Sequence, residues 1–156
     1  MLSEGDRAPA FTLFDQTSQK VSLTKQAPKS VFLFFYPRAN TSGCTSQASG
    51  LRDLMKGNKR IQLIGVSPDL PRTQMKWDDK HQLGFPLLSD PDHKVSAKYG
   101  VWGPKKLYGK EYEGIIRSVF WISNTGRILE CWYKISPKVS VEKLNEVLER
   151  SNEQTA

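Results

Sequence analysis

Ser30-Val31-Phe32-Leu33-Phe34-Phe35-Tyr36 is an apolar and aromatic run broken by nothing after its first serine, and Pro37 closes it. It is far shorter than the roughly 20 residues a helix needs to cross a bilayer. Its length and its aromatic and β-branched content fit a strand buried on both faces, as in the middle of a parallel sheet. After Pro37 the period changes. Thr41 and Ser42 are residue types that cap helix starts. Cys44, Ala48, Leu51 and Met55 then recur at spacings of four, three and four, which is one helical face. Gly57-Asn58 ends the helix.

Working outward, Ile61 to Val66 reads as a second buried strand and Pro71 to Leu83 as a helix opened by its proline. Pro86-Leu87-Leu88 leads to a short helix, Asp92 to Tyr99, closed by Gly100. Ser118 to Ile122 and Arg127 to Tyr133 read as strands joined by the turn Asn124-Thr125-Gly126. The last helix takes Ser136 as cap and Pro137 as first residue, with Val141, Leu144 and Leu148 as its buried stripe. Upstream, Phe11-Thr12-Leu13 and Val21-Ser22-Leu23 read as short strands around the polar turn Asp15 to Lys20. Parallel strands with crossover helices, then an antiparallel hairpin and a helix, predict an α/β protein. The expected architecture is a thioredoxin-like fold, a central mixed β-sheet flanked by helices, as one domain over residues 1–156.

Composition narrows the function classes. The chain is 38% hydrophobic and 25% charged, an ordinary globular balance. The net charge of +7 is spread from Arg7 to Arg150 without a long basic block, so a solvated surface is expected rather than a nucleic-acid partner. Cys44 and Cys131 lie too far apart in the sequence to suggest a disulfide scaffold, and with His81 and His93 they make no zinc-ligand spacing. The N-terminus lacks a basic stretch followed by an apolar one, so neither a secretory signal nor a membrane partner is expected. Reduced thiols inside the cell, hence a cytoplasmic placement, are the simplest expectation.

Cys44 is the residue with the most chemistry. The thiolate, not the thiol, is the nucleophile. A helix start offers unpaired N–H groups and partial positive charge, which favour the anion. In open α/β sheets, sites lie beyond the carboxyl ends of strands, and Cys44 follows the strand Ser30 to Tyr36 in that way. Thr41, three residues before it, carries a hydroxyl that can reach the sulfur or a bound oxygen, and Pro37 can shield the thiol. Cys131, in an apolar strand, reads as a core residue.

The segment Phe35-Tyr36-Pro37-Arg38-Ala39-Asn40-Thr41-Ser42-Gly43-Cys44-Thr45 resembles the active-site segment of peroxiredoxins, with proline, threonine and cysteine spaced as PxxxTxxC. Cys44-Thr45-Ser46-Gln47-Ala48 with Gly50-Leu51-Arg52-Asp53 is similar to the bacterioferritin comigratory protein or PrxQ subfamily. Leu88-Ser89-Asp90-Pro91-Asp92, Tyr99 to Gly103 and Gly114-Ile115-Ile116-Arg117 extend the likeness in the right order. The resemblance implies a thiol-dependent peroxidase that reduces hydrogen peroxide and organic hydroperoxides through a sulfenic acid, without metal, haem or flavin. Cys44 would be the peroxidatic cysteine, Thr41 would hydrogen-bond the peroxide, Pro37 would shield the thiolate and Arg117 would stabilise charge as the O–O bond breaks. Arg38 reads as a solvated loop charge, and Gln47, one turn on, as a residue that can shape the pocket. The expected partners are a hydroperoxide and thioredoxin or a similar thiol reductant, with the chain a monomer or weak dimer. A peroxide-sensing relay that passes oxidation to a partner protein is the alternative use of the same thiol.

Many relatives carry a resolving cysteine five residues after the first, where this chain has Ser49; others carry it in the next helix, where Trp77 to Leu83 holds none. Ser49 therefore reads either as a natural one-cysteine form or as an engineered replacement that traps the enzyme. Five residues along a helix is a rotation of about 140° and a rise of about 7.5 Å, so a thiol at position 49 reaches Cys44 only if the first turns unwind. Lys134 to Val141 is similar to the C-terminal part of fungal nuclear members, which adds the nucleus as a second expected location.

Overall fold

A computed structural model describes residues 1–153, with side chains through Arg150. Its main sheet has seven strands: β1 (Thr12–Phe14), β2 (Lys20–Ser22), β3 (Ser30–Phe35), β4 (Ile61–Ser67), β5 (Leu87–Ser89), β8 (Ser118–Ile122) and β9 (Ile128–Trp132). They lie in the order β2-β1-β5-β4-β3-β8-β9. Strands β3, β4 and β5 run parallel, while β8 runs antiparallel to β3, and β1 antiparallel to β5. This is the expected thioredoxin-like fold, a mixed sheet flanked by helices. The helices are α1 (Ser42–Leu54), α2 (Pro71–His81), α3 (Lys94–Lys98) and α4 (Pro137–Glu153).

The apolar run sits where its composition requires. β3 is paired on both edges, by β4 and β8, and its two faces enter two separate cores. Phe32, Phe34 and Tyr36 point to the side of α1, α2 and α4, with Cys44, Ala48, Leu51, Trp77 and Leu144. Val31, Leu33 and Phe35 point to the other side, with Phe11, Val95, Tyr99 and Phe120. Burying each such side chain contributes on the order of 2 kcal/mol, so β3 anchors both layers. Gly65, opposite Phe34 in register, makes room there: a Cβ on it would come within 2.8 Å of the Phe34 ring and 3.0 Å of Tyr36.

Several boundaries differ from the expectation. Phe11 lies before β1, and Leu23 opens a 3-10 turn, Leu23–Gln26, rather than ending a strand. The helix expected over Asp92 to Tyr99 is shorter, because His93 takes a left-handed φ of +61° just before it; the buried Asp90 carboxylate then accepts from the backbone N–H of Val95 and Ser96 and from the Ser96 hydroxyl. An additional hairpin, β6 (Trp102–Leu107) and β7 (Lys110–Ile115), stands outside the main sheet. Its turn, Tyr108-Gly109, takes positive φ at both residues, +50° and +79°, the geometry of a tight two-residue hairpin connection. Ser136 caps α4 as expected, its Oγ accepting from Val139 N at 3.1 Å.

Candidate active site

Chain direction brings Cys44 to the carboxyl end of β3. Asn40 takes a left-handed φ of +64°, turning the chain after the loop, and Thr41 in extended conformation starts α1. The Thr41 carbonyl accepts from Thr45 N at 2.9 Å, closing the first turn around Cys44. The thiol is 1% exposed, on the face of α1 that joins the core. A chain of polar contacts fixes the loop before it. Asp69 Oδ2 accepts from Ala39 N and from the Ser67 hydroxyl, both at 2.7 Å. Gln74 donates to Ser67 Oγ at 2.8 Å and accepts from the Tyr36 hydroxyl. Burial pushes the Tyr36 phenol well above its ordinary pKa, so it remains a donor. The Trp77 indole N–H donates to Thr45 Oγ1 at 3.0 Å, tying α2 to α1.

Arg117 comes to the thiol from the residue before β8. Its Nη2 donates to Cys44 Sγ at 3.4 Å, and its Nη1 donates to Gln47 Oε1. Gln47, fully buried one turn beyond Cys44, donates in turn to Ser140 Oγ at 3.0 Å, and Ser140 donates to Pro137 O at 2.6 Å. The Arg117 main chain is held as well, its carbonyl accepting from Ile135 N at 3.0 Å. An arginine held by Gln47 at its guanidinium and by Ile135 at its main chain can stabilise negative charge on the neighbouring sulfur with little reorganisation.

The other expected site residues are placed as follows. Thr41 occupies the N-cap position of α1 without a side-chain cap bond, and its hydroxyl donates to Arg38 O at 2.9 Å rather than to the sulfur. Pro37 is half-buried at the end of β3, and the Arg38 side chain is exposed, as a solvated loop charge would be. Ser49 is half-buried in the middle of α1. Cys131 packs against the core on the far side of the sheet from Cys44, and burial, the largest effect, raises its pKa together with Glu4 and Asp6.

Sequence reading missed four residues in and around the site. Ser140 orients Gln47, and Gln74 with Asp69 sets the loop; none of these carries a motif signal. The fourth is Lys105 on β6, which lines a groove of about 620 Å³ with Pro104, Lys106, Ile116, Arg117 and Ile135. Its pKa is lowered, first by burial and then by the Arg117 cation, against an opposing pull from Cys44. Among the described residues, no three His, Cys, Asp or Glu side chains gather as a metal site, and no helix is long and apolar enough to cross a membrane.

A helix-start thiol hydrogen-bonded by a half-buried arginine, on a thioredoxin-type sheet, defines a cysteine-based peroxidase. The chain belongs to the AhpC/TSA family, whose model matches residues 4–130, and within it to the bacterioferritin comigratory protein or PrxQ subfamily. It is 45% identical to the putative peroxiredoxin bcp of Haemophilus influenzae over 139 residues, 88% of this chain and 90% of that one. It is 45% identical to peroxiredoxin Bcp of Escherichia coli over 129 residues, covering 81% and 83% of the two chains. Peroxidoxin BcpB from Mycobacterium tuberculosis superposes with a TM-score of 0.80 at 33% identity, over 92% of this chain and 94% of that one. The bacterioferritin comigratory protein of Xanthomonas campestris, studied for its alkyl peroxide reduction activity, superposes with a TM-score of 0.83 at 26% identity, over 90% and 91%. The protein is thus a peroxidase enzyme that takes a peroxide and a thiol reductant. These relatives are bacterial, and the nuclear placement suggested by Lys134 to Val141 finds no support in them. That segment has a local role instead: Ile135 N holds Arg117 O, and Ser140 holds Gln47.

Proposed function

We propose that Cys44 is the peroxidatic residue and reduces hydrogen peroxide and alkyl hydroperoxides. The thiolate attacks the terminal peroxide oxygen, the O–O bond breaks, and the products are a Cys44 sulfenic acid and water or an alcohol. The observation that carries this reading is the hydrogen bond from Arg117 Nη2 to Cys44 Sγ at 3.4 Å, on the first turn of α1. The Thr41 hydroxyl, donating to Arg38 O, keeps lone pairs free to accept from the peroxide O–H. Pro37 covers the thiolate at the end of β3.

With serine at position 49 the chain works as a one-cysteine enzyme. An outside thiol, thioredoxin or a similar protein, reduces the sulfenic acid. It acts in the cytoplasm, as a monomer or weak dimer. The experiment is mass spectrometry of Cys44 after one equivalent of hydrogen peroxide, coupled to turnover with thioredoxin, thioredoxin reductase and NADPH. Sulfenic acid at Cys44 with sustained turnover is expected. Oxidation at Cys44 that passes to a second protein without turnover points to a peroxide relay, and a Cys44 that stays reduced overturns the assignment.

A further inference from the structure

The alkoxide or hydroxide released when the O–O bond breaks is a strong base and needs a proton. Arg117 is poorly suited to give one, because a guanidinium holds its protons too tightly. The wall of the adjoining groove holds a second cation. Lys105 lies on β6 opposite Tyr112, with its stem laid across Gly114: a Cβ on that glycine would come within 3.2 Å of Lys105 Cδ. Its Nζ donates to Ile115 O at 2.8 Å, two residues before Arg117. One N–H is thereby engaged and two remain. No carboxylate comes within ion-pair distance of it among the described residues; Glu111, on the same groove, pairs with Lys106 at 3.7 Å instead. The charged groups around the groove are Arg117 from the β8 side, Lys134 before α4, Lys106 and Glu111 on the hairpin, and Cys44 acts on Lys105 from α1.

We propose that Lys105 is the proton donor to the leaving oxygen in the reaction of Cys44 with alkyl hydroperoxides. This rests on Cys44 being the peroxidatic residue. The thiolate sulfur forms its bond to the terminal oxygen and the O–O electron pair goes to the leaving oxygen. That oxygen takes a proton from the Lys105 ammonium and departs as the alcohol. The amine left on Lys105 regains its proton from water. Partial burial and the Arg117 cation both make the ammonium a better acid than an exposed lysine. General acids of this kind contribute typically 10²–10⁴-fold.

The test uses two oxidants whose leaving groups differ in basicity. tert-Butyl hydroperoxide expels an alkoxide that needs a proton, whereas 3-chloroperoxybenzoic acid expels a carboxylate that does not. Second-order rates of Cys44 oxidation are measured by stopped flow for the wild type, Lys105→Met and Lys105→Gln; the glutamine can still donate to Ile115 O. Thermal melts establish that each variant is folded. Both variants should lose about 100-fold with the alkyl hydroperoxide and keep the wild-type rate, within a few-fold, with the peracid. Equal losses with both oxidants, or no loss with either, overturn the role of Lys105. A wild-type Cys44 that reacts with neither oxidant would instead defeat the peroxidatic assignment itself.

Discussion

Gln47 and Arg117 are joined side chain to side chain, the buried amide oxygen accepting from Nη1 while Nη2 of the same guanidinium reaches Cys44 Sγ. The aim of the arginine is therefore set from α1 itself, one turn beyond the sulfur it contacts.

Gln47→Ala should loosen that aim. We expect roughly a 10-fold slower reaction of Cys44 with peroxide, because one misdirected donor costs about 1.4 kcal/mol of transition-state stabilisation. Removing the amide also takes the acceptor from Arg117 Nη1 and one donor from the buried Ser140 hydroxyl, at about 1–3 kcal/mol of stability. Stopped-flow oxidation and urea melts measure the two effects. An unchanged oxidation rate would mean that Arg117 is held by Ile135 alone.

The two cysteines should behave differently. Cys44→Ser is expected to abolish peroxide turnover, whereas Cys131→Ser should retain most of it, since Cys131 lies on the opposite face of the sheet with its pKa raised by burial. Peroxide consumption by the purified variants decides the matter, and activity surviving in Cys44→Ser would remove the mechanism.

Alkaline pH should unfold the protein through its buried phenols. Burial pushes the Tyr99 pKa far above the ordinary value near 10, and its hydroxyl donates to Pro9 O at 2.7 Å. A folded pKa above the unfolded one means that the native state keeps a proton which the unfolded chain gives up. The contribution is thus fully present below about pH 10 and is lost as pH rises beyond it. Melts from pH 8 to 11.5 should show a falling midpoint above about pH 10, less steep in Tyr99→Phe. Equal slopes would exclude Tyr99 as a contributor.

Ser49→Cys should form a disulfide with Cys44 after one equivalent of peroxide, accompanied by unwinding of α1. The two positions face apart on an intact helix, about 140° around the axis, so the bond cannot form while the first turns hold. Peptide mapping for the disulfide and hydrogen exchange over residues 41–54 test both parts. A disulfide with no loss of protection would show that α1 bends instead of unwinding.

What the sequence made legible follows burial. β3 and α1 were readable because one is buried on both faces and the other on a single stripe, and each burial pattern imposes its own period on the residues. The hairpin β6–β7 left no such trace. Lys105, Lys106, Lys110, Glu111 and Glu113 along it are not set by a core, and the Tyr108-Gly109 turn was its one local signal. The site divides the same way. Cys44 stood out by its place at a helix start, and Arg117 through a resemblance. Lys105 did not, because its partner is a main-chain carbonyl, which any sequence supplies. Thr41 stands at the N-cap position of α1, yet its side chain makes no cap bond there and its hydroxyl donates to the Arg38 carbonyl, a choice between nearby partners that spacing alone does not make.

The sheet between Cys44 and Cys131 also acts as an insulator. A seven-stranded wall of paired backbone separates the two sulfurs, so an oxidising equivalent delivered to one has no internal route to the other. The chain therefore carries its own reference thiol. In a labelling experiment under peroxide, the signal at Cys131 reports alkylation efficiency and protein integrity, and the ratio of the two signals reads the redox state of Cys44 without an external standard.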